Sequence, residues 1–212
     1  MAISEESTRI GQFWNKLDGD VQCSLCHQQC RIRPGKRGLC GVRENHEGEL
    51  QTLVYGKLVA ANVDPIEKKP FFHFLPGSIA YSIATAGCNF RCLHCQNADI
   101  SQLPRETGQI PGSYVPPEEV VAQAVALGCQ SIAYTYTEPT VFFEYAYDIA
   151  RLAHQAGIVN IFVTNGFMTE EMLELLCPYL DAANVDLKAF RDETYRRRIG
   201  GRLQPVLDSL KK

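Results

Sequence analysis

The regular spacing of apolar segments in the second half of the chain limits the possible folds more than any other feature. Strand-like segments begin at residues 131, 158 and 182, so they are 24 to 27 residues apart, and segments with helical character separate them. This repeat is typical of β-α-β units, whose strands lie parallel because the crossovers are right-handed. A similar segment at 78–84 adds a fourth strand. The spacing predicts an α/β fold, either a doubly wound sheet or a (β/α) barrel.

Proline and glycine mark where the helices between these strands begin and end. A helix is predicted from Pro116 to Gly128, because proline and acidic residues suit a first turn and glycine suits a helix end. A second helix is predicted from Thr140 to about Ala156, and a third starts at Thr169. The segment 103–115 contains two prolines and two glycines and is predicted to be a loop.

Polar side chains follow the C-terminal end of each predicted parallel strand. These ends meet at one rim in parallel α/β folds, so we expect the four loops to form one site. The candidates are, in strand order, the cysteines of the loop 88–95, Glu138, Asn165, and the pair Asp186 and Lys188. Ordinary structural interpretations also exist: Glu138 as a helix cap, Asn165 as a turn residue, and Asp186 with Lys188 as a surface ion pair. The sequence singles out no catalytic acid, base or nucleophile.

Cys88, Cys92 and Cys95 form a C-x3-C-x2-C motif directly after the first of these strands. Structural zinc sites usually have four protein ligands, whereas three thiolates leave one iron of a four-iron cluster without a protein ligand. That open position can hold a substrate. The spacing is the signature of the radical S-adenosylmethionine (SAM) enzymes, which the chain resembles here. A structural metal knuckle and three free thiols are the alternatives.

A second cysteine set lies near the N-terminus, where Cys23, Cys26, Cys30 and Cys40 have spacings x2, x3 and x9. Four thiolates suffice for a structural zinc site or for an auxiliary iron–sulfur cluster. The spacing does not decide between them. Zinc or an undefined structural metal is favoured slightly, and reduced cysteines in a small subdomain are the alternative. The two remaining cysteines, at 129 and 177, are predicted to be buried and inert.

Composition excludes several classes of function. A formal net charge of -3 argues against a nucleic-acid partner, which would need a basic face. No apolar run reaches the roughly 18 residues of a transmembrane helix, and residues 1–7 lack the features of a signal peptide. We therefore expect a cytoplasmic protein without a membrane partner, whose nine cysteines are metal ligands or catalytic groups more often than disulfides.

Longer motifs narrow the resemblance to one group. The segments 87–97 (GCNFRCLHCQN), 164–167 (TNGF) and 186–188 (DLK) resemble the pyruvate formate-lyase-activating group of radical SAM enzymes. The segment that runs from FWNKL at 13–17 through GLCGVR at 38–43 to DPIEKKP at 64–70 is similar to the AmmeMemoRadiSam-system radical SAM enzymes, a branch of that group. The resemblance extends from about residue 10 to the end of the chain.

This resemblance implies an oxidoreductase with a [4Fe-4S] cluster on Cys88, Cys92 and Cys95. SAM would bind at the open iron and be cleaved to a 5′-deoxyadenosyl radical, with an electron donor such as a flavodoxin or ferredoxin. Asp186 and Lys188 would contribute to SAM binding. A protein substrate activated at a glycine is implied as well. Chemistry suggests the remaining contacts, because Glu138 can accept from the SAM amino group and Asn165 suits its ribose or carboxylate.

The resulting prediction has two parts. Residues 1–76 form a small Cys-rich metal-binding region, and 77–212 form an incomplete (β/α) radical SAM partial barrel of about four parallel βα units. Members of the group continue with further strands, so the chain is expected to be C-terminally truncated. One alternative is a catalytically incomplete iron–sulfur protein used in electron transfer or as an interaction module. Another is a purely structural zinc protein.

Overall fold

The structure is a computed structural model that describes residues 8–212. The expectation that the chain lacks a signal peptide falls on residues 1–7, which lie outside the described residues. Among the helices of the described part, none combines the length and the apolar character that a membrane crossing requires.

Twelve strands lie within residues 8–212. They are β1 (Arg9–Ile10), β2 (Trp14–Leu17), β3 (Asp20–Cys23), β4 (Arg31–Ile32), β5 (Arg43–His46), β6 (Glu49–Thr52), β7 (Lys57–Pro65), β8 (Ile79–Thr85), β9 (Ser113–Tyr114), β10 (Ser131–Tyr134), β11 (Val159–Thr164) and β12 (Ala182–Val185).

Seven α-helices lie in the same range. They are α1 (Ala98–Ser101), α2 (Leu103–Thr107), α3 (Pro117–Ala126), α4 (Phe143–Gln155), α5 (Glu170–Leu176), α6 (Asp192–Thr194) and α7 (Leu203–Lys211). Single 3-10 turns occupy Ile66–Lys68, Pro139–Phe142 and Cys177–Tyr179, and a wide π turn follows α6 at Tyr195–Ile199.

The main sheet has six strands in the order β12-β11-β10-β8-β7-β9. The four strands β8, β10, β11 and β12 are parallel to one another, with Ser131 opposite both Ala80 and Val159. Every residue of β10 is buried, as expected for a parallel strand covered on both faces. The α/β prediction is confirmed: the chain forms a partial barrel with four parallel βα units.

The N-terminal region joins this sheet rather than standing beside it. Strand β7 pairs antiparallel with β8 over most of its length, so the sheet crosses the predicted boundary at 76/77, which itself stays a prediction. Two small antiparallel sheets, β1-β6-β5 and β2-β3-β4, complete the region. Phe13 packs edge-on against Phe143 of α4 at 5.4 Å between ring centres. The N-terminal region and the parallel strands therefore share one hydrophobic core.

Helix α4 holds the N-terminal region through a buried ion pair as well as through apolar contacts. Its buried residues recur every three or four positions, at Tyr145, Ala146, Ile149 and Ala153 among others, which is the pattern of a core-facing helix. Glu144 in its first turn accepts from the Arg43 guanidinium at 2.9 Å, and both side chains are almost fully buried. This pair links the two halves of the chain.

Two sequence expectations are wrong. The segment 103–115 is not only loop, because α2 and β9 form within it. Pro104 lies in the first turn of α2, where its missing N–H is not needed, and Gly108 ends the helix with φ of 75°. Cys129 is buried as expected, but Cys177 is exposed, since α5 ends there and Pro178 turns the chain outward.

Candidate functional site

The C-terminal ends of the four parallel strands open onto one cavity of about 920 Å³. Each of the four strand-end loops contributes to its wall, as the parallel arrangement requires. The lining includes all the residues predicted from these loops: Cys88, Cys92, Cys95, Glu138, Asn165, Asp186 and Lys188. The geometry therefore brings the candidate residues together, whereas their individual roles stay predictions.

The loop after β8 carries the three cysteines and is held rigidly. Phe90 is fully buried and packs against Phe167, with 4.9 Å between the ring centres. The Phe90 backbone N–H donates to the Cys88 sulfur at 3.4 Å. Gly87 has φ of +103°, and a side chain there would place its Cβ 2.7 Å from Val42, so only glycine fits this entry to the loop.

The Cys88 thiol lies in an environment that disfavours the free thiolate. Burial raises the pKa of Cys88 well above its ordinary value, and the negative charge of Glu138 raises it further. Burial also raises the pKa of Cys92. The nearby Lys188 cation lowers this pKa but does not cancel the effect of burial. A positive metal centre between the thiolates would supply the missing charge compensation, because metal ligation and thiol deprotonation are coupled.

Glu138 is buried and mainly braces the ends of β10 and β11. Its Oε1 accepts from the Thr140 backbone N–H and from the Thr140 and Thr164 hydroxyls, at 2.6 to 3.0 Å. Its Oε2 accepts from the Asn165 backbone N–H at 2.8 Å. Burial raises the pKa of Glu138, and these hydrogen bonds oppose that rise. A carboxylate has about four lone-pair sites, so only Oε2 retains capacity for a ligand.

Asn165 is likewise engaged within the protein. Its Nδ2 donates to Asn89 Oδ1 at 2.7 Å, and its Oδ1 accepts from the Phe167 backbone N–H at 3.0 Å. Asn89 directly follows Cys88, so Asn165 positions the cysteine loop from the neighbouring strand. Asp186 and Lys188 form an ion pair of 2.9 Å, and Asp186 is about half exposed at the cavity mouth. Breaking this ion pair to bind a ligand would cost little free energy.

One wall of the cavity was missed by the sequence analysis. Lys69 is buried there, with its Nζ 2.7 Å from Asp64 Oδ2 and 4.2 Å from the centre of the Tyr136 ring. Tyr136, whose φ is +62°, donates its hydroxyl hydrogen bond to Asp64. Lys68 donates to the other Asp64 oxygen at 2.6 Å. In the sequence, the DPIEKKP segment supports only the family resemblance. Its two lysines, four and five residues after an aspartate, could also have indicated a charged cluster.

The second cysteine set does not line this cavity. Cys23, Cys26, Cys30 and Cys40 all line a separate small cavity of about 20 Å³. Within residues 8–212, no three His, Cys, Asp or Glu side chains are arranged around a common single-ion position.

The residues of the larger cavity fit the group that the resemblance implies. Three thiols supply the donor set of a cluster with one open iron, and a carboxylate, an amide and a lysine stand around them for the polar ends of SAM. The volume lies within the roughly 300–1,000 Å³ of small-molecule sites. Lys188 adds a positive charge beside Cys92, which suits an anionic cluster.

Comparison with known proteins agrees with this geometry. The profile of the radical SAM superfamily matches residues 82–212, which include β10 to β12 and all three cysteines. An uncharacterized protein of Methanocaldococcus jannaschii is 45% identical over 204 residues, which are 96% of this chain and 60% of that protein.

Two more distant relatives have names that state an activity. The GTP 3′,8-cyclase of Geobacter sulfurreducens is 34% identical over 131 residues, which are 59% of this chain and 39% of that protein. The AdoMet-dependent heme synthase of Methanosarcina barkeri is 33% identical over 102 residues, which are 48% of this chain and 28% of that protein. The chain thus spans three fifths or less of these curated relatives.

The family match covers more than half of the chain and falls on the strands whose ends form the cavity. The chain therefore belongs to the radical SAM superfamily, whose enzymes imply a [4Fe-4S] cluster and SAM.

Proposed function

We propose that this chain is the SAM-cleaving part of a radical SAM enzyme and that Cys88, Cys92 and Cys95 are its cluster ligands. The observation that carries the proposal is the single cavity shared by these cysteines and by the three other strand-end loops. When bound there, a reduced [4Fe-4S] cluster supplies the electron that splits SAM into methionine and a 5′-deoxyadenosyl radical, which abstracts hydrogen from a substrate.

The chain's own residues orient and enclose the reactants. The three thiolates would hold the cluster, which supplies one iron for SAM. Glu138 Oε2 would accept from the SAM amino group, while the rest of that carboxylate braces β10 and β11. Asp186 and Lys188 would separate from each other to bind the SAM ribose and carboxylate. Asn165 acts indirectly, because it fixes the loop that carries Cys88.

The proposal extends to the substrate class. The segments 87–97, 164–167 and 186–188 resemble the pyruvate formate-lyase-activating group, and on that resemblance the hydrogen donor is a glycine in a partner protein. The electron donor would be a flavodoxin or ferredoxin. The names of two relatives point to other substrates, a nucleotide in one and a heme precursor in the other. A small-molecule substrate is therefore the competing outcome of the test.

Reductive cleavage of SAM tests the first part. The anaerobically reconstituted protein, reduced with dithionite, should produce 5′-deoxyadenosine from SAM, and the electron paramagnetic resonance (EPR) spectrum of the reduced cluster should change when SAM is added. Cys92→Ala should abolish both signals, whereas Cys177→Ala, at an exposed cysteine outside both sets, should retain them. Undiminished cleavage by Cys92→Ala would refute the cluster assignment.

Isotope transfer tests the substrate class. Cells of the host organism are grown on deuterated glycine. Their extract is divided into a protein fraction and a small-molecule fraction, and each fraction is incubated with the enzyme and SAM. Deuterium in 5′-deoxyadenosine from the protein fraction supports the glycyl-radical proposal. Deuterium transfer confined to the small-molecule fraction contradicts it and leaves SAM cleavage unaffected.

A further inference from the structure

The four N-terminal cysteines form a site of their own. Cys23 ends β3, Cys26 and Cys30 lie in the loop to β4, and Cys40 lies in the loop before β5. All four line one small cavity of about 20 Å³, which is distinct from the 920 Å³ cavity at the strand ends. Segments separated by up to 17 residues in sequence thus bring four thiols to one place.

A backbone N–H group faces one of the four sulfurs. The Leu39 N–H donates to Cys30 Sγ at 3.5 Å. Hydrogen bonds of this kind spread the negative charge of metal-bound thiolates and tune the site they surround.

Two buried polar side chains in the cavity wall are incompletely satisfied. Arg43 is 2% exposed and Asn89 is 1% exposed, and both line the cavity. Among the hydrogen bonds formed within residues 8–212, neither Arg43 Nε nor Asn89 Nδ2 has a partner. Buried donors are normally paired, so such groups call for an acceptor at the site. Sulfur atoms of a bound metal centre would be suitable acceptors.

The arrangement of the sulfurs distinguishes a single ion from a cluster. Zinc holds its thiolates at about 2.3 Å, so its ligands must surround one common point. Within residues 8–212, no three His, Cys, Asp or Glu side chains surround such a point. An iron–sulfur cluster has several atoms between its thiolates and therefore spaces them further apart.

We infer that Cys23, Cys26, Cys30 and Cys40 hold a second iron–sulfur cluster, with Arg43 Nε and Asn89 Nδ2 donating to its sulfur atoms. Four protein ligands leave no open iron, so this cluster binds no SAM. Asn89 also accepts from Asn165 and directly follows Cys88, so one residue contacts the surroundings of both cysteine sets. The cysteine spacing did not decide between zinc and a cluster, and the inference replaces the slight preference for zinc. It does not depend on the proposed SAM cleavage.

Metal and sulfide analysis of anaerobically reconstituted variants tests the inference. The triple variant Cys88→Ala/Cys92→Ala/Cys95→Ala should retain about two to four irons per chain and an equal amount of labile sulfide. The variant Cys26→Ala/Cys30→Ala should lose that iron, and Cys177→Ala should match the wild type. A folded triple variant with about one zinc and no sulfide, or with no metal, would overturn the inference.

The wild-type protein gives an independent measurement in case the triple variant fails to fold. Its total should be about six to eight irons per chain, and SAM should change the EPR signal of only part of the reduced iron. A total of about four irons, all responsive to SAM, would refute the second cluster and leave the first intact. Iron that never responds to SAM, in a protein that cleaves none, would refute the proposed function and leave the second cluster intact.

Discussion

The two cysteine sites differ in access to solvent more than in ligand chemistry. The site at Cys88, Cys92 and Cys95 has three thiols at the edge of a 920 Å³ cavity, and its ion pair, Asp186 with Lys188, is partly exposed. The site at the four N-terminal cysteines surrounds a cavity of only about 20 Å³, and its neighbouring ion pair, Arg43 with Glu144, is buried. We call the first the open site and the second the enclosed site.

This difference determines what each charge contributes. An exposed pair such as Asp186 and Lys188 adds little to stability, because water solvates both partners when they separate. A buried pair such as Arg43 and Glu144 cannot lose one partner without leaving a charge in a medium that solvates it poorly. We therefore expect substitutions near the enclosed site to change stability and those near the open site to change ligand binding.

The largest expected effect on stability comes from the enclosed side. Glu144→Ala leaves the Arg43 guanidinium buried without its carboxylate and also removes the acceptor of the Gln12 backbone N–H. The free energy of unfolding should fall by about 3–5 kcal/mol, measured by denaturant titration under anaerobic conditions. Glu170→Ala is the matched control, since Glu170 forms an exposed pair with Lys212 and should cost at most about 1 kcal/mol. Equal losses in the two variants would contradict the comparison.

Asp64 tests whether burial or position governs the contribution of a charge, because it is buried and contacts Lys68 and Lys69 in the wall of the open site. Asp64→Asn removes the carboxylate that faces Lys68, buried Lys69 and Tyr136. Loss of charged hydrogen bonds at a buried lysine should cost about 1.5–3 kcal/mol. A loss below about 0.5 kcal/mol would show that position at the open site, and not burial, governs the contribution of a charge.

The Asp64 effect has a defined pH dependence. Burial alone would raise the pKa of Asp64, but hydrogen bonds from Lys68, Lys69 and Tyr136 outweigh it and hold the pKa well below the ordinary value of 3.8. A group with a lowered pKa in the folded state stabilises above the unfolded pKa and loses that contribution as the pH falls. The stability difference between wild type and Asp64→Asn should be complete above about pH 5 and shrink below about pH 4. A difference that grows on acidification would contradict this account.

The sequence predicted that the candidate residues of the open site share one rim, because strand direction follows from the repeat. Once β10, β11 and β12 are parallel, Glu138, Asn165 and Lys188 must reach the same rim, whatever their partners are. The partners themselves were not predictable, since the contacts of Glu138 with Thr164 and Asn165 depend on how two strand ends align. Their residue types led to the prediction that these side chains contact SAM. In the structure, Glu138 and Asn165 form hydrogen bonds mainly within the protein.

The wall formed by Lys68 and Lys69, which Asp64 holds from behind, was not predicted for a different reason. Strand β7 pairs antiparallel with β8, and nothing in the periodicity of the N-terminal region marks it as part of the main sheet. The same holds for the enclosed site, where the cysteine spacing indicated four ligands but not how their sulfurs are arranged. That arrangement and the unsatisfied donors of Arg43 and Asn89 are properties of the folded chain alone.

The smallest expected change in stability belongs to the exposed pair of the open site. Asp186→Asn breaks the 2.9 Å contact with Lys188, and the free energy of unfolding should change by less than about 1 kcal/mol, because both partners remain solvated. If Asp186 meets SAM, the same substitution should weaken SAM binding several-fold, measured by the SAM-dependent change in the EPR spectrum. Glu193→Gln, in an exposed pair with Arg197, should leave both quantities unchanged. Unaltered SAM binding in Asp186→Asn would reduce this residue to a surface ion pair, whereas a large loss of stability would contradict the division between an open and an enclosed site.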